Sequence, residues 1–373
     1  MSEVVLFDEL AAGDYRIGVI TLNSEKSLNA LSLPMAEKML PKLQAWANDD
    51  GISCVWLQGA GEKAFCAGGD IVAMYNAMKA KPGVLVDEVR DFFTLEYELD
   101  YALQTFPKPL VVWGHGIVMG GGMGLMNGGS HRIVTERSLL AMPEITIGLY
   151  PDVGATYFLN QMPAGCGLFL GLTGAHMNAA DARYLNLADH FLGADKKQAL
   201  LDALTQVSWG DTARINHQKV TDTITAMVKQ DATQAPAPQV EPLQAHISQL
   251  TTADDIATVV NNIVNDDREN DWLAKARKNL QHGCPTTAHI VWNQLQLGSD
   301  LSLADCFRLE LTLSTNCAVK GDFAEGIRAL LIDKDRKPAW QYGTVADVPA
   351  ESIDAFFQPP WGEQPHPLAN LGK

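Results

Sequence analysis

The chain is poor in positive charge. Twenty-eight Lys and Arg stand against 44 Asp and Glu over 373 residues, a formal net charge of −16. Binding to a nucleic-acid backbone relies on clustered Lys and Arg, and no such cluster is present, so nucleic acid is excluded as a partner of any broad surface. A local basic pocket for a small anionic ligand is still allowed. Long apolar runs are also lacking: none approaches the roughly 18 residues of a membrane-spanning helix, so no membrane partner is expected. Cysteine is sparse. Cys54, Cys66, Cys166, Cys284, Cys306 and Cys317 have no metal-type spacing, and several lie in apolar runs where reduced Cys packs as a small hydrophobe. A reducing compartment and no bound metal are therefore expected. The opening "MSEVVLFDEL" lacks the basic and continuously apolar regions of a secretory signal and is too acidic for a transit peptide. These features predict a soluble cytoplasmic protein, or the mature form of an organelle protein. Internal repeats and low-complexity tracts are absent from the sequence.

What is present suits a large globular core: 47% of the residues are hydrophobic, in a chain long enough for one large domain with an appendage or for two domains. The runs "YRIGVITL" (15–22), "SCVWLQG" (53–59) and "PLVVWG" (109–114) are apolar or β-branched and end near turn residues, as strands do. Helical periodicity lies between them. One helix is predicted from Ser32 with Pro34 in its first turn, and another over 86–103. The class is α/β. Residues 1–210 read as the core, and 211–250, which contains "ATQAPAPQVEPL", as a linker or surface excursion. Residues 251–373 read as a mainly helical region, with periodic patterns over 253–264, 272–281, 286–297 and 303–316.

Three stretches place chemistry-bearing groups beside turn signals. "KAFCAGGDI" (63–71) sets Gly68 and Gly69 after a strand and before a helix. "GHGIVMGGGMGL" (114–125) does the same with the glycines at 120–122. Glycine permits positive φ and close approach to the main chain but weakens regular structure. Two helix N-termini of this kind, converging, can supply the paired N–H donors of an oxyanion hole; each alone is equally a common glycine turn. The third stretch is "AMPEITIGLYPDVGATYFL" (141–159). Glu144 lies amid apolar neighbours, so it is either a desolvated carboxylate suited to general-base work or a solvated turn acid. Asp152 reads as a functional acid or as a helix N-cap. Glu96 lies on the 86–103 helix, where most acids face solvent, and His115 reads as structural because no Ser or Cys partner is evident.

Taken together and in order, "LNSEKSLNALSLPM", "KAFCAGGDI", "KPLVVWGHGIVMGGGMGL" and "AMPEITIGLYPDVG" resemble the crotonase (enoyl-CoA hydratase/isomerase) superfamily. Within it they are most similar to the branch that hydrolyses 3-hydroxyacyl-CoA thioesters. Gly124 stands where hydratases carry a catalytic glutamate, Asp152 is of the hydrolase type, and "GDFAEGIRALLIDKDRKPAW" (321–340) looks like that branch's C-terminal signature. The resemblance implies a spiral of ββα units covered by a C-terminal helical region. It implies hydrolysis of 3-hydroxyisobutyryl-CoA, as in valine breakdown, with no cofactor, since coenzyme A is part of the substrate. It also implies site residues. The N–H groups of Gly69 and Gly121 would hold the thioester oxygen, Glu144 would be base or nucleophile, and Asp152 and Glu96 would line the acyl pocket around the substrate hydroxyl. Coenzyme A would rest on Lys26, Ser27, Leu28 and Ala67. Many relatives have Arg-Pro where this chain has Ser24 and Glu25, so Lys334 and Lys337 are either substitute phosphate contacts or solvated surface lysines. Family members assemble as homotrimers or hexamers. A hydratase or isomerase activity, or a non-catalytic acyl-CoA-binding role on the same fold, is the competing expectation.

Overall fold

The structure, a computed structural model, describes residues 3–373. Nine strands occur among them: β1 (Val5–Ala12), β2 (Tyr15–Leu22), β3 (Ile52–Gly59), β4 (Ala64–Cys66), β5 (Leu110–Gly114), β6 (Ile117–Met119), β7 (His131–Val134), β8 (Leu139–Ala141) and β9 (His190–Phe191). The long apolar runs give the buried strands of a six-stranded sheet ordered β1-β2-β3-β5-β7-β9, and a second sheet is ordered β4-β6-β8. In the six-stranded sheet β1 and β2 pair antiparallel, and β2–β3, β3–β5, β5–β7 and β7–β9 are parallel. Each of the pairs β3–β4, β5–β6 and β7–β8 therefore sends its first strand to the large sheet and its second to the small one. This repetition is the winding of a ββα spiral. It also explains why β3 and β5 are apolar without alternation, because a parallel strand covered on both faces has no wet side.

The chain divides into two compact units. The first comprises residues 1–69, 99–140 and 177–241, and the second 70–98, 141–176 and 242–373. The first unit holds the sheets. Its core stacks Trp56 on Trp113 at 5.9 Å between ring centroids and adds Val111, Ile133, Leu200, Leu204, Val220 and Ile224. The last four come from the helices Lys197–Thr205 and Ala213–Gln230. Residues 211–250, read from the sequence as linker or surface excursion, thus contain an eighteen-residue helix. Only the Pro- and Ala-rich part after it is irregular.

The second unit is helical. It contains Ile71–Ala80, the part of Asp87–Gln104 up to Glu98, and the C-terminal helices Ile256–Val264, Asp271–His282, Pro285–Gly298 and Leu303–Lys320. No strand occurs among the described residues beyond Phe191, as the periodicity predicts. No helix is long and apolar enough to cross a membrane among them either.

Candidate active site

In the first unit, the two glycine stretches follow neighbouring strands. β4 and β6 pair in parallel, with Ala64 opposite Ile117 and Cys66 opposite Val118, so the chain leaves both at the same end. Gly68 has φ +106° and Gly120 has φ +49°, left-handed values that disfavour a side chain, and each immediately precedes a predicted donor. Gly121 opens the helix Gly121–Asn127, where the first N–H groups have no partner within the helix. Neither Gly69 nor Gly121 donates its N–H to a backbone acceptor among the described residues. The approach is very close: a Cβ on Gly122 would lie 2.1 Å from the Cys66 carbonyl oxygen. The glycines thus let a helix N-terminus sit directly on the end of β4.

Beside them lies the proposed coenzyme A turn. Glu25–Ser27 form one 3-10 turn, and Leu28 follows in the left-handed region at φ +55°. Asn29 holds the turn, accepting from Ser24 N and donating to the carbonyls of Ala60 and Ala64. Ala67 N donates to Leu28 O at 3.1 Å. Lys26, Ser27, Leu28 and Ala67 are therefore brought together, with Lys26 and Ser27 exposed. His115 bonds the Gly61 carbonyl through Nε2 at 2.9 Å, and burial lowers its pKa, in keeping with a structural histidine.

The acids belong to the second unit. Glu144 starts the 3-10 turn Glu144–Ile147, which Gly148 closes in the left-handed region. This turn is held from three sides. Cys284 N donates to Ile145 O at 2.9 Å. A Cβ on Gly148 would meet Asp322 backbone at 2.7 Å, and one on Gly326 would meet Ile147 backbone at 2.3 Å. Asp322 and Gly326 belong to the C-terminal signature, whose sequence is thus explained by main-chain packing against the turn that carries Glu144. Arg328, in the π-helical turn that follows, donates to Glu325, Asp333 and Asp335. Lys334 and Lys337 lie exposed on the segment wrapped around it.

Glu96, Glu144 and Asp152 are 2%, 4% and 4% exposed, so none is a surface acid, and they are electrostatically linked through Glu96 and Glu144. Burial, then the charges of Asp152 and Glu144, raise Glu96 well above the usual carboxylate range. Burial and then Asp152 do the same to Glu144. Burial raises Asp152 to about 6, opposed by hydrogen bonds from Tyr97 and from its own backbone. Glu144 Oε2 has no hydrogen-bond partner. A desolvated carboxylate with an unused oxygen is equipped to take a proton or attack a carbonyl.

Asp152 is not a helix cap. The helix Ala155–Asn160 begins after Gly154 with no side-chain cap of its own. Its free N–H groups are instead taken by Glu310, which accepts from Gly154 N at 2.7 Å and Thr156 N at 2.8 Å. Asp152 Oδ2 instead lies at hydrogen-bond distance, 2.6 Å, from Tyr97 Oη. Tyr97, Glu310 and Ser314 escape a reading of the sequence because they lie in amphipathic helices where any polar residue passes for a solvated one. The adjacency of Tyr97 to Glu96 in an aromatic run is the one available signal.

Glu310 yields a stability prediction. Its carboxyl is raised to about 8, first by burial, from an ordinary value near 4.5. The folded state holds that proton more tightly than the unfolded state, so the contribution of Glu310 is fully present below about pH 4.5 and is lost as pH rises towards about 8. Chemical denaturation of wild type and Glu310→Gln between those limits is expected to show the wild-type advantage shrinking by on the order of a few kcal/mol. An advantage that stays constant or grows with pH would contradict the buried, proton-holding role.

The family model described as enoyl-CoA hydratase/isomerase matches residues 17–357. The mitochondrial 3-hydroxyisobutyryl-CoA hydrolase of Danio rerio is 38% identical, over 95% of this chain and 89% of that protein. Its Homo sapiens counterpart is 36% identical, over 91% and 86%. Among solved structures, a carnitinyl-CoA dehydratase from Mycobacterium thermoresistibile is 34% identical with a TM-score of 0.83, covering 96% of this chain and 97% of its own. An enoyl-CoA hydratase from Rhodobacter sphaeroides is 31% identical with a TM-score of 0.82, covering 96% and 98%.

Proposed function

Because the chain belongs to the enoyl-CoA hydratase/isomerase (crotonase) family, we propose that it hydrolyses the thioester of a short branched 3-hydroxyacyl-CoA, 3-hydroxyisobutyryl-CoA foremost. Water and thioester give 3-hydroxyisobutyrate and free coenzyme A, a step of valine breakdown. The observation that carries the choice within the family is the helix Gly121–Asn127, "GGMGLMN", which bears no acid. Addition of water to a double bond uses two glutamates in this family, and Gly124 occupies the place of one of them.

In this reading the N–H groups of Gly69 and Gly121 receive the thioester oxygen as it becomes an oxyanion, an interaction stronger in the transition state than in the ground state. Glu144 takes the proton of the attacking water, or attacks the carbonyl itself to give a mixed anhydride that water then cleaves. Both routes require its ionised form. Asp152 and Glu96 take the substrate hydroxyl, and a pocket that hydrogen-bonds a hydroxyl rejects analogues lacking it better than one that measures size. The adenine end of coenzyme A rests on the Lys26–Leu28 turn and Ala67. No cofactor enters. The compartment is a reducing one, the cytoplasm, consistent with six free cysteines, and the assembly is a homotrimer or hexamer.

The test is thiol release from 3-hydroxyisobutyryl-CoA, isobutyryl-CoA and crotonyl-CoA, with the enoyl absorbance of the last followed in parallel. Release confined to the hydroxylated substrate is expected, and Asp152→Asn is expected to raise the relative rate on isobutyryl-CoA. Loss of crotonyl absorbance without thiol release would make the protein a hydratase and overturn the reading. An unchanged preference in Asp152→Asn would remove Asp152 from hydroxyl recognition.

A further inference from the structure

A chain of buried hydroxyls runs from Asp152 into the helix Leu303–Lys320. Tyr97 Oη is 2.6 Å from Asp152 Oδ2 and 2.6 Å from Ser314 Oγ. Tyr150 Oη is 2.8 Å from Ser314 Oγ and donates to the Glu310 carbonyl oxygen at 2.5 Å. Tyr97, Tyr150 and Ser314 are each 0% exposed. That makes four oxygen–oxygen links at hydrogen-bond distance. The three hydroxyls supply one hydrogen each, and the Glu310 carbonyl supplies none. If Asp152 is ionised, both ends of the chain are acceptors and one link lacks a hydrogen. Two oxygens then face each other lone pair to lone pair, where burial makes an unmade hydrogen bond costly. A proton on Asp152 Oδ2 removes the deficit. Asp152 then donates to Tyr97, Tyr97 to Ser314, Ser314 to Tyr150, and Tyr150 to the Glu310 carbonyl.

We infer that this chain holds Asp152 as the neutral acid in the substrate-free protein, with the proton on Oδ2 committed to Tyr97 and Oδ1 left to accept the substrate hydroxyl. Tyr97, Ser314 and Tyr150 are positioning residues acting through Asp152. The surroundings favour the same state. The titratable groups acting on or acted on by Asp152 are Glu96 and Tyr97 from one helix, Glu144 from its turn, Tyr150 from the same loop, and Glu310 and Cys317 from the Leu303–Lys320 helix. None is a cation. The inference rests on the hydrolase reading only in naming the hydroxyl as the ligand.

The hydrogen count predicts that cutting the chain beyond Tyr97 makes Asp152 easier to ionise. Tyr150→Phe leaves two links and two hydroxyl hydrogens, enough for an ionised Asp152, and Ser314→Ala likewise removes the deficit. Tyr97→Phe removes the deficit and the link to Asp152 together, so the count sets no direction for it. The experiment is carbon-13 NMR of the aspartate carboxyl carbons in the substrate-free protein, with the Asp152 resonance identified by its loss in Asp152→Asn. Asp152 is expected to titrate above neutrality in wild type, beyond the value of about 6 that holds when Tyr97 is free to donate to the carboxylate, and lower by roughly one unit in Tyr150→Phe and Ser314→Ala. A wild-type midpoint below neutrality, or a midpoint that Tyr150→Phe and Ser314→Ala leave unchanged or raise, would overturn the inference. Ser314→Ala gives the same decision if Tyr150→Phe does not fold. Because no substrate is present, the outcome stands apart from thiol release: a protein that releases no thiol can still show the downward shifts, and an active hydrolase can fail to.

Discussion

Glu144→Gln binds acyl-CoA within about tenfold of wild type, roughly 1.4 kcal/mol, and turns it over slower by about a thousandfold or more. The expectation follows from what the substitution changes and what it keeps. The amide has the size of the carboxyl, and Glu144 Oε2 has no hydrogen-bond partner to lose. The turn that carries it is held through main-chain contacts of Ile145, Ile147 and Gly148, none of which depends on the Glu144 side chain. What disappears is the capacity to hold or accept a proton, which both proposed routes require. Steady-state kinetics beside a direct binding measurement decides the matter. A fall in kcat with affinity retained marks an interaction made in the transition state, whereas equal losses in both would make Glu144 a binding residue. The pH profile adds a second reading. Because burial raises the Glu144 carboxyl, the ionised form accumulates only above the ordinary glutamate range, and kcat/KM is expected to climb with pH through that higher region.

The parts of this site legible in the sequence are those whose chemistry is local. Positive φ at Gly68 and Gly120, the strand before each, and an acid between Pro143 and Ile145 all depend on residues within a few positions of one another. The ββα winding is legible for the same reason, because apolar runs ending in turns mark β3 and β5 whatever their partners. The capping of Gly154 and Thr156 by Glu310 is not, since the two sides of that interaction are more than 150 positions apart and Asp152 stands at the place where a local cap would be sought. The tyrosine–serine chain is hidden likewise, because a buried hydroxyl and a wet one are the same letter until the packing is known. The C-terminal signature falls between these cases. It is recognisable as a pattern, while its reason, close approach of Gly326 and Asp322 to the Glu144 turn, is a fact of tertiary packing alone.

Gly122→Ala tests the other half of the proposed chemistry, and its effect is expected to be nearly as large. A Cβ there would lie 2.1 Å from the Cys66 carbonyl oxygen and 2.9 Å from its carbon. Both obstructing atoms are main chain, so no rotamer change relieves the clash, and the helix Gly121–Asn127 must move away from the end of β4. Gly121 lies on the first of these segments and Gly69 three residues beyond the second. A displacement of a few tenths of an ångström spoils the convergence of two N–H groups on one oxygen, and loss of one such donor is worth about a hundred- to a thousandfold in kcat. The other contacts proposed for the acyl chain and coenzyme A lie elsewhere, so KM should change much less than kcat. Loss of stability could imitate loss of activity, and Gly13→Ala separates the two. Gly13 also has positive φ, at +66°, but a Cβ there would meet nothing within 4 Å, so the substitution carries a backbone penalty of about 1 kcal/mol without a steric one. Gly13→Ala should keep its kcat while losing some thermal stability, and Gly122→Ala, assayed well below its unfolding temperature, should lose kcat. If Gly122→Ala is folded and turns over at the wild-type rate, the oxyanion is not held by these glycines, and the donors must be sought on another element.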